Sequence, residues 1–165
     1  MLSPKQIEVL RWPYTGKTAL ICDGAVRSGK TSIMSLSFLL WAMGSFDKSS
    51  FALCGKTVGA AERNIIQPLL GVAYLQEHFR MEYTRGGHVL TVSRGGRSNR
   101  FYVFGGRDES SYMLIQGVTL AGVLLDETAL MPRSFVEQAL ARCSAAGSKL
   151  WFNCNPDVPE HWFRK

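Results

Sequence analysis

Apolar and polar positions change period several times along the chain, and the changes divide it into alternating helices and strands. Ser3 is a good N-cap, Pro4 suits the first helical position and Gln6 completes an S-x-x-Q capping box. A short helix therefore runs to about Arg11, where Trp12-Pro13 stops it. The apolar stretch Thr18 to Cys22 reads as a strand. A helix then starts near Lys30, apolar at Ile33, Met34, Leu36, Phe38, Leu39, Leu40 and Trp41, and ends near Gly44 as its C′ residue. Phe51 to Cys54 is a second short buried strand, and Val58 to Leu70 is helical with an interruption at Pro68 before Gly71 to Phe79 resumes the pattern. From Met81 the period falls to two. Met81 to Thr84, His88 to Ser93 and Arg100 to Phe104 alternate or run apolar between Gly86-Gly87 and Gly95-Gly96 turns, as in a β-meander or hairpin pair. Ser110 to Ile115 reads as a helical turn, Leu120 to Leu125 as a buried strand, Arg133 to Arg142 as a helix with Pro132 near its start, and Leu150 to Phe152 as a last strand.

Composition limits what such a chain builds. With 165 residues, 46% hydrophobic and 11% aromatic, it supports one well-buried domain and not two large ones. No apolar run reaches the roughly 18 residues that span a bilayer, and Met1-Leu2-Ser3-Pro4-Lys5-Gln6 lacks the regions of a signal peptide. A cytoplasmic protein with no membrane partner is expected. Cys22, Cys54, Cys143 and Cys154 are widely spaced, which suggests small buried residues and neither a zinc site nor a disulfide framework. The net charge of +6 makes a polyanionic partner plausible. Arg80, Arg85, Arg94, Arg97, Arg100 and Arg107 fall in one glycine-rich third beside Tyr83, Phe101 and Tyr102. Arginines so interleaved suit a nucleic-acid backbone, although Glu77, Glu82, Asp108 and Glu109 dilute them and a solvated hairpin explains them equally well.

Three stretches carry chemistry. Gly24-Ala25-Val26-Arg27-Ser28-Gly29-Lys30-Thr31 matches G-x-x-x-x-G-K-[ST] in full, between a strand and a helix as a phosphate-binding loop requires. Gly24 and Gly29 let the backbone N–H groups turn inward around the phosphates, and the helix dipole adds positive potential. Lys30 would reach the β- and γ-phosphates and Thr31 would place its hydroxyl on Mg²⁺. The second stretch is Ala121-Gly122-Val123-Leu124-Leu125-Asp126-Glu127, a fully apolar strand that ends in two acids. Asp126 would hold Mg²⁺, and Glu127, pointing differently, could polarise the attacking water as general base. The third is Lys149-Leu150-Trp151-Phe152-Asn153-Cys154-Asn155-Pro156, where Asn153 or Asn155 could sit beside the γ-phosphate, an amide being able both to accept from water and to donate to phosphate. An ordinary Asn-Pro turn explains Asn155 as well.

The phosphate loop with Arg27 inside it, the run VLLDE followed by Thr128-Ala129, and FNCNPDVPEHWF together resemble the ATPase domain of the large subunit of tailed-phage terminases, the DNA-packaging motors, of the type found in defective Bacillus prophages. The resemblance covers nearly the whole chain. It implies an α/β P-loop NTPase of the additional-strand, catalytic-Glu type, with a central, mainly parallel sheet flanked by helices and a β-hairpin or meander insertion around residues 81–104. In that fold the strand ending at Phe152 lies between those ending at Asp23 and Leu125. It implies ATP as substrate, Gln6 as an adenine reader within Leu2-Ser3-Pro4-Lys5-Gln6, Arg27 at the γ-phosphate, Glu127 as the catalytic carboxylate, and Asn153 to Asn155 as the segment that couples hydrolysis to DNA movement. The partners implied are double-stranded DNA, a portal protein, a small terminase subunit and further copies in a ring. Family members continue into an RNase-H-like nuclease domain, whereas this chain stops at Lys165. Residues 1–165 are therefore expected to be a single, truncated ATPase domain without the nuclease. Two other readings are a nucleotide- or DNA-binding prophage remnant without turnover, and a helicase-like translocase, which would need a second RecA-like domain.

Overall fold

The structure, a computed structural model, describes residues 2–23, 29–107, 117–128 and 131–154. The elements in order are helix α1 (Pro4–Arg11), a 3-10 turn (Trp12–Tyr14), strand β1 (Ala19–Asp23), α2 (Lys30–Ser45), β2 (Ser50–Gly55), α3 (Val58–Ala61), a π-turn (Glu62–Ile66), α4 (Gln67–Leu70), α5 (Ala73–His78), β3 (Arg80–Thr84), β4 (Val89–Arg94), β5 (Arg97–Gly105), β6 (Gly122–Leu125), α6 (Arg133–Arg142) and β7 (Lys149–Cys154). The strands form one seven-stranded sheet in the order β1-β7-β6-β2-β5-β4-β3. From β1 to β5 neighbours run parallel, and β4 and β3 add on antiparallel. β7 therefore takes the inserted place between β1 and β6.

The meander anticipated around residues 81–104 forms, but it is no separate lobe. Its last strand pairs in parallel with β2 from Ser50↔Arg100 to Gly55↔Gly105. Composition explains this: β5 carries Phe101 and Val103 on one face and Phe104 on the other, so it needs burial on both sides. Strand alternation sorts the core into two layers. Phe51, Leu53, Leu124 and Trp151 pack under α1 to α5, whereas Ala52, Cys54, Val123, Leu125 and Phe152 pack under α6. Under α2, Phe38 sits 5.7 Å from Phe51 and 4.8 Å from Trp151, ring centre to ring centre, in edge-on contacts that aromatic quadrupoles favour.

Local signals set most boundaries. Ser3 and Gln6 make the capping box, with Ser3 N–H donating to Gln6 Oε1 at 2.9 Å and Gln6 N–H to Ser3 Oγ at 3.2 Å. Gly44 does not end α2; it lies in the last turn, and Phe46 follows in extended conformation. Side chains from β5 stop the helix instead. Arg97 donates to Met43 O at 2.8 Å, and the buried Asn99 amide donates to Phe46 O at 2.9 Å. Nor does Pro68 interrupt the helical run from residue 58. The turn ahead of it widens to π geometry, with Gln67 N–H reaching Glu62 O, which accommodates a ring that would clash with a carbonyl in a regular helix. The helical turn expected at Ser110 to Ile115 lies outside the described residues.

Candidate phosphate-binding site

The parallel strands deliver the chemistry to one end of the sheet, beyond their carboxyl ends, where ligands bind in open α/β folds. Alternation then decides which way each side chain faces. Asp126 lies two residues beyond Leu124, and Asn153 two beyond Trp151, so both face the layer that holds α2. The Asp126 N–H bond to Cys54 O at 2.8 Å extends the strand pattern that far. Thr31, in the first turn of α2, meets them. Its hydroxyl donates to Asp126 Oδ1 at 3.0 Å, and the Asn153 amide donates to Thr31 Oγ1 at 2.9 Å and to Asp126 Oδ1 at 2.7 Å. Two members of this triangle are buried, Asp126 at 3% exposed and Asn153 at 7%, and Thr31 is half-buried. Lys30 Nζ donates to Cys154 O at 2.9 Å, and Gly29 enters α2 at φ +71, a conformation glycine adopts without strain.

Magnesium suits this arrangement. A hydroxyl and a carboxylate are the hard oxygen donors that it prefers. Among the described residues, Asn153 Oδ1 is buried without a hydrogen-bond partner, an acceptor left over once the amide nitrogen serves its two neighbours. Next along the chain, Glu127 has φ +54, a left-handed backbone that costs a non-glycine residue about 1–2 kcal/mol. Such strain at the end of a strand turns the side chain away from its ordinary course, and it concentrates at functional sites. Thr128, fully buried, donates to Leu125 O at 3.1 Å and Asn153 O at 3.3 Å, pinning the ends of β6 and β7 together.

These residues open on a cleft of about 480 Å³ that Lys30, Thr31, Asp126, Glu127 and Asn153 share with Arg63, Asn64 and Pro68. The last three had no motif to reveal them. The one signal in the sequence was Pro68 inside a helical pattern, two residues after the π-turn that carries Arg63 and Asn64. Gln6 lies elsewhere, on a groove between α1 and β1 that Lys30 also lines. Its Oε1 is held by the capping box, and its Nε2 makes no hydrogen bond among the described residues. Cys22 lines the same groove; burial pushes its thiol pKa up, against the opposing pull of Lys30, so it stays neutral. Gly24, Ala25, Val26, Arg27, Ser28 and Asn155 lie outside the described residues.

The arginine-rich third does not present one face. Strand register puts Arg80 and Arg100 on one side of the sheet and Arg94 and Arg97 on the other. Arg94 lies 5.6 Å above the Phe79 ring, Arg97 caps α2, and Arg80 pairs with Glu82 at 2.6 Å.

A phosphate-loop helix, an apolar strand ending in acids and an extra strand between them define a P-loop NTPase of the additional-strand type. Solved structures give the family. The chain is 50% identical to the large terminase of a thermophilic bacteriophage, over 99% of this chain and 41% of that one, with a TM-score of 0.94. A complex of such a terminase with ATP-gamma-S is 46% identical, over 99% and 40% of the two chains, at a TM-score of 0.88, and a complex with ADP is also known. The large-terminase ATPase domain of a Thermus phage, at 16% identity over 92% and 68%, shares the fold at a TM-score of 0.65. The chain thus belongs with the phage large terminases and has the fold of their ATPase domain. It spans about two fifths of the length of the large terminases that it matches. No protein-family profile and no curated protein matches it. Among the described residues, no helix is long and apolar enough to cross a membrane.

Proposed function

We propose that residues 1–165 form one ATPase domain whose turnover drives double-stranded DNA into a procapsid. The observation that carries this reading is the closed triangle of Thr31, Asp126 and Asn153 beside Lys30. Similarity to terminases solved with ADP and ATP-gamma-S supports it. In this scheme Lys30 leaves the Cys154 carbonyl for the β- and γ-phosphate oxygens, while backbone N–H groups of residues Gly24 to Gly29 surround the phosphates. Thr31 and Asp126 would hold Mg²⁺, which when bound neutralises charge on those phosphates. Glu127 takes a proton from the attacking water, and Arg27 stabilises charge on the γ-phosphate. Gln6 turns Nε2 toward the adenine, its Oε1 exchanging Ser3 for the base. Asn153 and Asn155 pass the state of the γ-phosphate to the strand end that moves DNA.

The proposal assigns hydrolysis and no nuclease chemistry to these residues. A portal protein, a small terminase subunit and further copies in a ring are the proposed partners, in the host cytoplasm. The test is phosphate release with and without DNA, alongside nucleotide binding. Lys30→Ala should lose both binding and turnover, and Glu127→Gln should keep nucleotide while turnover falls by roughly 10²-fold or more. Undiminished turnover in Glu127→Gln would remove Glu127 as the base. Binding without turnover in the unaltered chain, with DNA present, would favour a non-hydrolysing nucleotide-binding domain.

A further inference from the structure

Opposite the motif residues, the cleft is closed by a wall that the established motifs do not include. The π-turn carries Arg63 and Asn64 into the same cleft as Lys30, Asp126 and Glu127. Arg63 is exposed there and makes no hydrogen bond or ion pair among the described residues. Its neighbour Glu62 is already engaged on the other side, accepting from Tyr83 Oη at 2.6 Å. A guanidinium with five donors is thus left facing a site built for phosphate oxygens, the anion its planar fork matches best.

The wall is held firmly in place. Gly55 and Gly105, paired across β2 and β5, let both ends of α3 press onto the strand ends. A Cβ on Gly105 would stand 2.6 Å from Val58 N, and one on Gly55 2.9 Å from Ala61 Cβ. Thr57 caps the turn by accepting from Ala60 N–H at 3.0 Å. Gly59, whose missing Cβ would be 3.3 Å from Arg63 Nη1, leaves the guanidinium room to lie against the helix.

Strand order gives the cleft a direction. The phosphate loop leaves β1, Asp126 and Glu127 leave β6, and the Arg63 helix leaves β2, the next strand beyond. Strands lie about 4.8 Å apart, so the span from β1 to β2 is roughly 14 Å, enough for a triphosphate laid from the loop toward the acids. Arg63 reaches the cleft that holds the carboxylates from the β2 side, on the element that follows that strand. We propose that Arg63 binds the γ-phosphate in cis, so that this chain holds a nucleoside triphosphate more tightly than the diphosphate through a group outside its phosphate loop. This rests on the ATPase reading above and adds a specificity-determining residue to it.

The experiment measures affinities of ATP-gamma-S and ADP for the 165-residue chain by calorimetry, with thermal unfolding in parallel. Arg63→Ala should weaken ATP-gamma-S about tenfold or more, the worth of a hydrogen bond to a charged group, with ADP held within about twofold. Arg63→Lys, which keeps charge but loses the fork, should fall between. Tm should match the unaltered chain, since Arg63 is exposed and makes no hydrogen bond or ion pair among the described residues. Equal losses for both nucleotides, or no loss for either, would overturn the proposal. Failure of the unaltered chain to bind either nucleotide is a different result, which sinks the ATPase reading and the Arg63 assignment with it.

Discussion

Asn153 shows how much of the site rests on a single amide. Its nitrogen donates to two oxygens that would otherwise face each other with only the Thr31 proton between them, and Asp126 is nearly fully buried. Asn153→Asp replaces a donor by a second carboxylate about where a 2.7 Å contact now exists. Two such groups resist ionising together, so the pair holds a proton to higher pH in the folded state than in the unfolded chain. The sign follows from linkage: the fold suffers no penalty at low pH and loses stability as pH rises through the raised folded pKa. At neutral pH without divalent cations the variant should melt roughly 5 °C below the unaltered chain, a cost of about 2 kcal/mol. Millimolar Mg²⁺ should restore most of that, since a cation between the carboxylates relieves their repulsion. A deficit that Mg²⁺ leaves untouched would argue that the triangle is not where the cation sits.

Among the elements, the helical run from residue 58 depends on strand glycines most directly. In Gly105→Ala the new methyl meets Val58 N and the Thr57 backbone, neither of which yields as a flexible side chain would. The expected cost is about 1–3 kcal/mol, read as a lower Tm, together with weaker nucleotide binding as the Arg63 wall shifts. Gly44→Ala is the control. A Cβ there meets nothing within 4 Å, and the residue is helical, so stability should hold or rise by about 0.5–1 kcal/mol. These two glycines also mark what the sequence could convey. Signals confined to a few residues were readable: the Ser3–Gln6 box, the switch to period two at Met81, and the strand–loop–helix around Lys30. Signals that depend on a distant partner were not. Gly44 looked like a helix stop because Asn99 and Arg97, more than fifty residues on, could not be known to hold the end of α2. A proline announces a fault in a helix, but whether the helix breaks or widens is decided by what packs against it. Ile65 and Ile66, both fully buried, keep this one continuous and so bring Arg63 to the cleft.

At the scale of the whole molecule, the described residues cover the sheet unevenly. Among the described residues, helices α1 to α5 serve one face and α6 the other, where the second core layer reaches from β5 to β7 and stops short of β1. β1 is an edge strand among the described residues, and its outward Ile21 is 58% exposed. An edge with free backbone groups and an apolar side chain invites pairing with another strand, and proteins commonly guard such edges with lysine. The 165-residue chain should therefore associate as its concentration rises, by light scattering, and Ile21→Lys should suppress that. Alternation turns Leu20 and Cys22 toward the core under α2, whereas Ile21 points outward and borders the groove that also holds Gln6. Tm should stay as it is, since the side chain is mostly exposed. If Ile21→Lys associates as strongly as the unaltered chain, the contact lies elsewhere. If it also loses nucleotide, the groove that Ile21 shares with Gln6 and Lys30 is part of the nucleotide site, as the reading of Gln6 at the adenine requires.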